Sequence, residues 1–120
     1  MWWRLGFIGA LLGVLGVHLG FPVYPWGLYV YAGGLVLDLW TTLEALDLGG
    51  REENPLARVF LKLGIWGLPF MSLLILLLTG ATWGFFQAAF VLGMVHLVAG
   101  SNNLRGLLRL SASARYGLRP

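Results

Sequence analysis

Residues 37–60 read LDLWTTLEALDLGGREENPLARVF. The stretch begins inside an apolar segment that already holds Asp38, adds Thr41 and Thr42, breaks at Gly49-Gly50 and restarts at Asn54-Pro55. Asn followed by Pro marks a helix start, with Asn as N-cap and Pro at the first helical position. One helix therefore ends near residue 48 and another starts at Pro55, with a charged turn between them. Glu52 and Glu53 in that turn favour the positive end of the following helix.

The surrounding chain sets the solvent. Of 120 residues, 58% are hydrophobic and 11% charged, whereas a soluble domain carries about 25% charged residues. A chain this short cannot hide that much apolar surface in one core. With no cysteine, disulfides and thiolate metal sites are excluded. Four apolar segments follow one another at about 2–21, 26–48, 55–79 and 83–103. Each approaches the ~20 residues of a membrane-crossing helix. Backbone satisfaction in lipid requires helices there, and the absence of period-2 alternation argues against a barrel. The expected fold is all-α: a four-transmembrane-helix bundle (1–103) followed by a basic amphipathic tail (104–120). The first segment has no small-x-small cleavage site after it and reads as a span, not a signal peptide.

The basic residues orient the bundle. Arg4, Arg51, Arg58, Lys62, Arg105, Arg109, Arg115 and Arg119 all fall toward the two ends of the chain or in the loop between the second and third segments and the start of the third. The other two loops, 21–25 and 80–82, carry no charge. The positive-inside rule then places both termini in the cytoplasm, in the cell (inner) membrane. Trp2 and Trp3 fit the inner interface, and Tyr24, Trp26 and Trp83 the outer one. Arg105, Arg109, Arg115 and Arg119 suit anionic lipid headgroups. Nucleic acid is a poor partner, because no recognition motif accompanies the charge.

Gly6, Gly9, Gly13, Gly16 and Gly20 form one seam on the first helix, with two G-x-x-x-G pairs that allow close backbone contact. The seam serves packing within the bundle or against a second copy. Arg58 and Lys62, four apart, snorkel from one face of the third helix, and Pro69 is expected to bend it.

On the second helix, Gly27, Gly34, Asp38, Thr42 and Ala45 share a stripe, with Thr41 at its edge. On the fourth, Ala89, Gly93, His96, Gly100 and Asn103 share another. At ~1.5 Å per residue, Asp38 lies about 18 Å and His96 about 20 Å from the outer interface. The two stripes are expected to face each other, so that His96 and a threonine satisfy the carboxylate. An unpaired charge at that depth costs at least ~2.5–3.5 kcal/mol. The bland alternative is a polar clamp between helices. His18 lies away from the glycine seam and fits a structural or interfacial role.

Asp38, Thr41-Thr42, Gly49-Gly50 and Glu52-x-Asn54-Pro55 together resemble the signature of an uncharacterised family of small bacterial and archaeal integral membrane proteins. The resemblance covers about twenty residues. It implies a compact multi-helix membrane domain and supplies no activity, cofactor or catalytic residue.

Three functions compete. The leading one is a membrane-embedded binding or scaffold protein, or an accessory subunit of a larger complex. The second is ion or proton transport with Asp38 and His96 as relay, which a homo-oligomer through the glycine seam would complete. The third is a metal-dependent intramembrane hydrolase. Glu52, Glu53, Arg58, His96, Asn102 and Asn103 superficially resemble elements of the prenyl-protein protease family, but Arg58 comes one residue late and the second histidine is missing. Any metal would sit on His96 with Asp38 or Glu53. No cofactor is required by the sequence.

Overall fold

A computed structural model describes residues 2–50, 52 and 54–116, with the side chains of 3–50, 52 and 54–112. Arg51, Glu53 and Arg119 lie outside the described residues, as do the side chains of Trp2 and Arg115. Among the described residues the chain is all-α, with five helices and no strand: α1 (Trp2–His18), α2 (Val23–Asp47), α3 (Pro55–Leu61), α4 (Gly67–Trp83) and α5 (Phe85–Tyr116).

The turn at 48–50 closes α2 as its sequence implies. Gly49 takes φ 86°, a left-handed conformation that suits glycine. The Gly49 N–H then bonds the Leu46 carbonyl, and the Gly50 N–H reaches Ala45. This is the Schellman arrangement, which satisfies the last free carbonyls of the helix. At the start of α3, Asn54 Oδ1 accepts from the Leu56 N–H at 3.0 Å.

The third apolar segment departs from expectation. It is not one helix from Pro55 but two, α3 and α4, parted at 62–66. The last turn of α3 tightens, with N–H groups of residues 62, 63 and 64 each bonding three residues back. Gly64, at φ 96°, then turns the chain out of the helix. Gly67 restarts it against the Phe60 carbonyl, where a side chain would collide. Pro69 therefore falls in the first turn of α4, where a missing N–H costs no intrahelical bond, and the break lies upstream of it. The final segment shows no break at 103–104. One helix of 32 residues carries the chain through the expected tail boundary.

Helix α5 is the axis of the molecule, packed by α1, α2 and α4. Glycine governs how near they come. A Cβ on Gly9 or Gly13 would meet the backbone of Val95 or Val91 at 2.5 and 2.7 Å, and one on Gly16 would meet the Phe90 ring. The expected seam on α1 is thus spent within the chain, though by three of its five glycines. Gly6 has no neighbour, and Gly20, at φ 89°, ends α1 instead. Helices α2 and α5 run parallel. Gly27 lies on Phe86, Gly34 on Gly93, and Gly100 on Asp38.

By length and composition one helix, Phe85–Ala112, is long and apolar enough to cross a membrane. α1 and α4 are apolar but have 17 residues each, ~25 Å against a hydrocarbon layer of ~30 Å. α2 has the length, with 25 residues, but carries Asp38, Glu44 and Asp47.

Candidate functional site

The site forms where α2, α4 and α5 meet. The parallel glycine contacts between α2 and α5 set their register and bring Asp38 level with His96. His96 Nδ1 lies 2.7 Å from Asp38 Oδ2. On the other side of the ring, His96 Nε2 lies 2.7 Å from Ser72 Oγ of α4. Ser72 Oγ lies in turn 2.8 Å from the Tyr31 hydroxyl. The second carboxylate oxygen, Asp38 Oδ1, accepts from Asn103 Nδ2 at 3.3 Å and from Thr42 Oγ1 at 3.4 Å. Asn103 Nδ2 also donates to Thr42 Oγ1 at 3.1 Å.

These contacts set a proton pattern for a neutral imidazole. A carboxylate only accepts, so the proton between Asp38 and His96 sits on Nδ1. In a neutral imidazole that leaves Nε2 as acceptor, so Ser72 donates its hydroxyl proton to it. The Ser72 oxygen is then the acceptor for Tyr31. With the imidazole neutral, donation runs one way, from Tyr31 through Ser72 and His96 to Asp38. Among the described residues no buried side-chain nitrogen or oxygen lacks a partner.

Of the residues singled out in the sequence, Asp38, Thr42, His96 and Asn103 are brought together. Thr41 is not. It is fully buried, and its hydroxyl bonds back to its own helix, 2.8 Å from the Leu37 carbonyl. His18 is exposed at the end of α1. Tyr31 and Ser72 were missed. Tyr31 lies on the stripe of Gly27, Gly34 and Asp38, and its spacing marked it. Ser72 is one hydroxyl in an otherwise apolar half-helix, and nothing in its neighbours ties it to His96.

A cavity of about 180 Å³ opens beside this chain. Asp38, Thr42, Ser72 and His96 form its polar wall. Leu35, Leu68, Ile75 and Leu92 are among its apolar walls, and Glu52 and Asn54 of the charged turn also line it. Glu52 is held there by its own turn, with Oε1 accepting from the Asn54 N–H at 3.0 Å. The turn motif and the Asp38 motif of α2, fourteen residues apart from Asp38 to Glu52, thus line one space.

Of the expected metal pair, His96 and Asp38 are in contact, and among the described residues no group of three or more His, Cys, Asp or Glu is placed to hold an ion. Glu53 lies outside them. Both His96 nitrogens are already engaged, so an ion there would have to displace Asp38 or Ser72.

Past Tyr31, toward the start of α2, the polar chain stops among the described residues. Tyr31 packs in an apolar cluster with Leu76, Ala88 and Ala89. Farther out, Phe21 stacks on Phe90, with ring centroids 4.5 Å apart. Set against known proteins, this chain matches no family model, no curated protein and no solved structure.

Proposed function

We infer that this chain is a four-pass integral membrane protein with a one-sided binding site for an amphiphile, entered from the cytoplasmic face. The polar end of the ligand meets Asp38, Ser72 and His96. Its apolar part lies along Leu35, Leu68, Ile75 and Leu92.

The membrane reading rests on where the apolar side chains point. Phe7, Leu11 and Leu15 of α1, Val36 and Trp40 of α2, and Phe70, Leu73 and Leu77 of α4 all face outward. The accessible surface is 7904 Å², against roughly 6,400 Å² for a compact soluble protein of this mass. Large apolar side chains exposed along three helices in this way belong in lipid. α1, α2, α4 and α5 are then the four crossings, the shorter ones with local bilayer thinning. α3 and the link after it lie at the inner headgroups, with Leu56, Val59, Ile65 and Trp66 toward the acyl chains and Arg58 and Lys62 toward water. Asp38 is costly in such a place, and its full set of donors supports a kept polar site.

The observation that carries the binding function is the cavity, whose wall is polar at Asp38, Thr42, Ser72 and His96, and at Glu52 and Asn54 of the turn, and apolar along Leu35, Leu68, Ile75 and Leu92. The closure of the chain beyond Tyr31 disfavours a relay through the membrane. The resemblance to the uncharacterised membrane family rests on the same residues, Asp38 to Pro55, and agrees with a membrane domain.

Native mass spectrometry of the protein released from nanodiscs tests this reading. A bound amphiphile is expected on the wild type and should be lost in Ile75→Trp, which fills the cavity from its wall. A wild type that carries none, across several lipid compositions, overturns it. A stoichiometric protein partner in place of a small ligand would favour the accessory-subunit alternative.

A further inference from the structure

We propose that Ser72 is a nucleophile, and that the amphiphile bound here is an acyl ester which the site hydrolyses. This rests on the membrane cavity described above. Ser72, His96 and Asp38 stand in the order nucleophile, base and orienting carboxylate, with both links at 2.7 Å. A base within hydrogen-bond reach of a hydroxyl, itself held by a third group, is the geometric mark of an activated serine. All three residues line the cavity, which would hold the ester carbonyl beside Ser72.

The chemistry follows from the proton assignment. Ser72 Oγ bonds to the ester carbonyl carbon as its proton passes to His96 Nε2. The carbonyl electron pair moves to its oxygen. The Tyr31 hydroxyl, 2.8 Å from Ser72 Oγ, is assigned as the donor to that oxyanion. The carbon–oxygen bond to the leaving alcohol then breaks, and the alcohol takes the proton from Nε2. Water attacks the acyl-serine by the same route, giving a carboxylic acid and restoring Ser72. Asp38 touches no reacting atom. It is a positioning residue that keeps the imidazole proton on Nδ1, with Asn103 and Thr42 fixing its other oxygen.

A structural polar clamp would use the same hydrogen bonds, so the test must read reactivity. The full chain in nanodiscs is treated with a long-chain alkyl fluorophosphonate, and the adduct is located by peptide mass mapping. The expected adduct is on Ser72 and not on the exposed Ser101. Its rate should fall at least roughly 10²-fold in His96→Ala and in Asp38→Asn. Tyr31→Phe should slow turnover of a long-chain nitrophenyl ester by roughly 10²-fold.

Folding is followed by thermal melting. If a variant at His96 fails to fold, Ser72→Cys serves instead. It is the sole thiol in a chain without cysteine, and it should outpace Thr79→Cys in reaction with an alkyl iodoacetamide. No adduct at Ser72 on folded wild type, or an adduct rate indifferent to His96 and Asp38, overturns the proposal. In that event a bound amphiphile in the mass spectrum leaves the binding function standing.

Discussion

Gly34 of α2 and Gly93 of α5 meet backbone to backbone: a Cβ on Gly34 would lie 2.5 Å from the Gly93 carbonyl oxygen. One turn along each helix from this crossing, Asp38 and His96 pair at 2.7 Å. The polar contact exists because the crossing is close. A wider helix spacing would leave the carboxylate and the ring out of reach.

Gly93→Val is therefore expected to lower stability by about 1–3 kcal/mol or more, since the added carbons would strike the Tyr31 backbone at 2.6 Å. Gly33→Ala, one position from Gly34 but with nothing within 4 Å, should leave the melting temperature unchanged or slightly raised. Thermal unfolding in one detergent compares the two directly. Equal losses would sink the close-crossing account.

The two adjacent threonines should separate. Thr42→Val removes a donor to Asp38 and the acceptor of Asn103, at a cost of about 0.6–1.7 kcal/mol. Thr41→Val removes a bond to a carbonyl that the helix already satisfies and leaves no partner unpaired, so it should cost less than Thr42→Val. Chemical or thermal unfolding of both variants decides the matter, and the opposite ranking would contradict the hydrogen-bond assignment.

Asp38→Asn is expected to cost about 1–3 kcal/mol although the shape is kept. Its new amide N–H₂ must point at one of the groups that now donate to the carboxylate. Against the Asn103→Ala background the same change should cost less, because one opposing donor is gone. Strict additivity in that double-mutant cycle would argue that Asn103 and Asp38 do not interact.

Topology is open to direct labelling, since no native cysteine interferes. Lys62→Cys should react with a membrane-impermeant maleimide only after the cytoplasmic face is opened. Thr82→Cys, exposed at the far end of α4, should react in intact cells. Labelling of position 62 from outside would refute the four-pass arrangement and both termini inside.

The sequence by itself determined the helical class, the end of α2 at Gly49-Gly50, the start of α3 at Asn54-Pro55, and the pairing of Asp38 with His96. Each of these follows from local rules or from periodicity. A glycine takes positive φ, an Asn-Pro pair opens a helix, and small residues at steps of three and four mark a close face. Tertiary structure decided the rest. The break after Leu61 depends on Gly67 nesting against Phe60, a contact made only once the chain has turned. Ser72 enters the site because α4 is laid beside His96 in one particular rotation, and a lone hydroxyl has no periodicity to announce it. Thr41 and Thr42 are equivalent as letters. They part because successive residues on a helix point about 100° apart, so one hydroxyl reaches the shared carboxylate and the other is left to its own backbone.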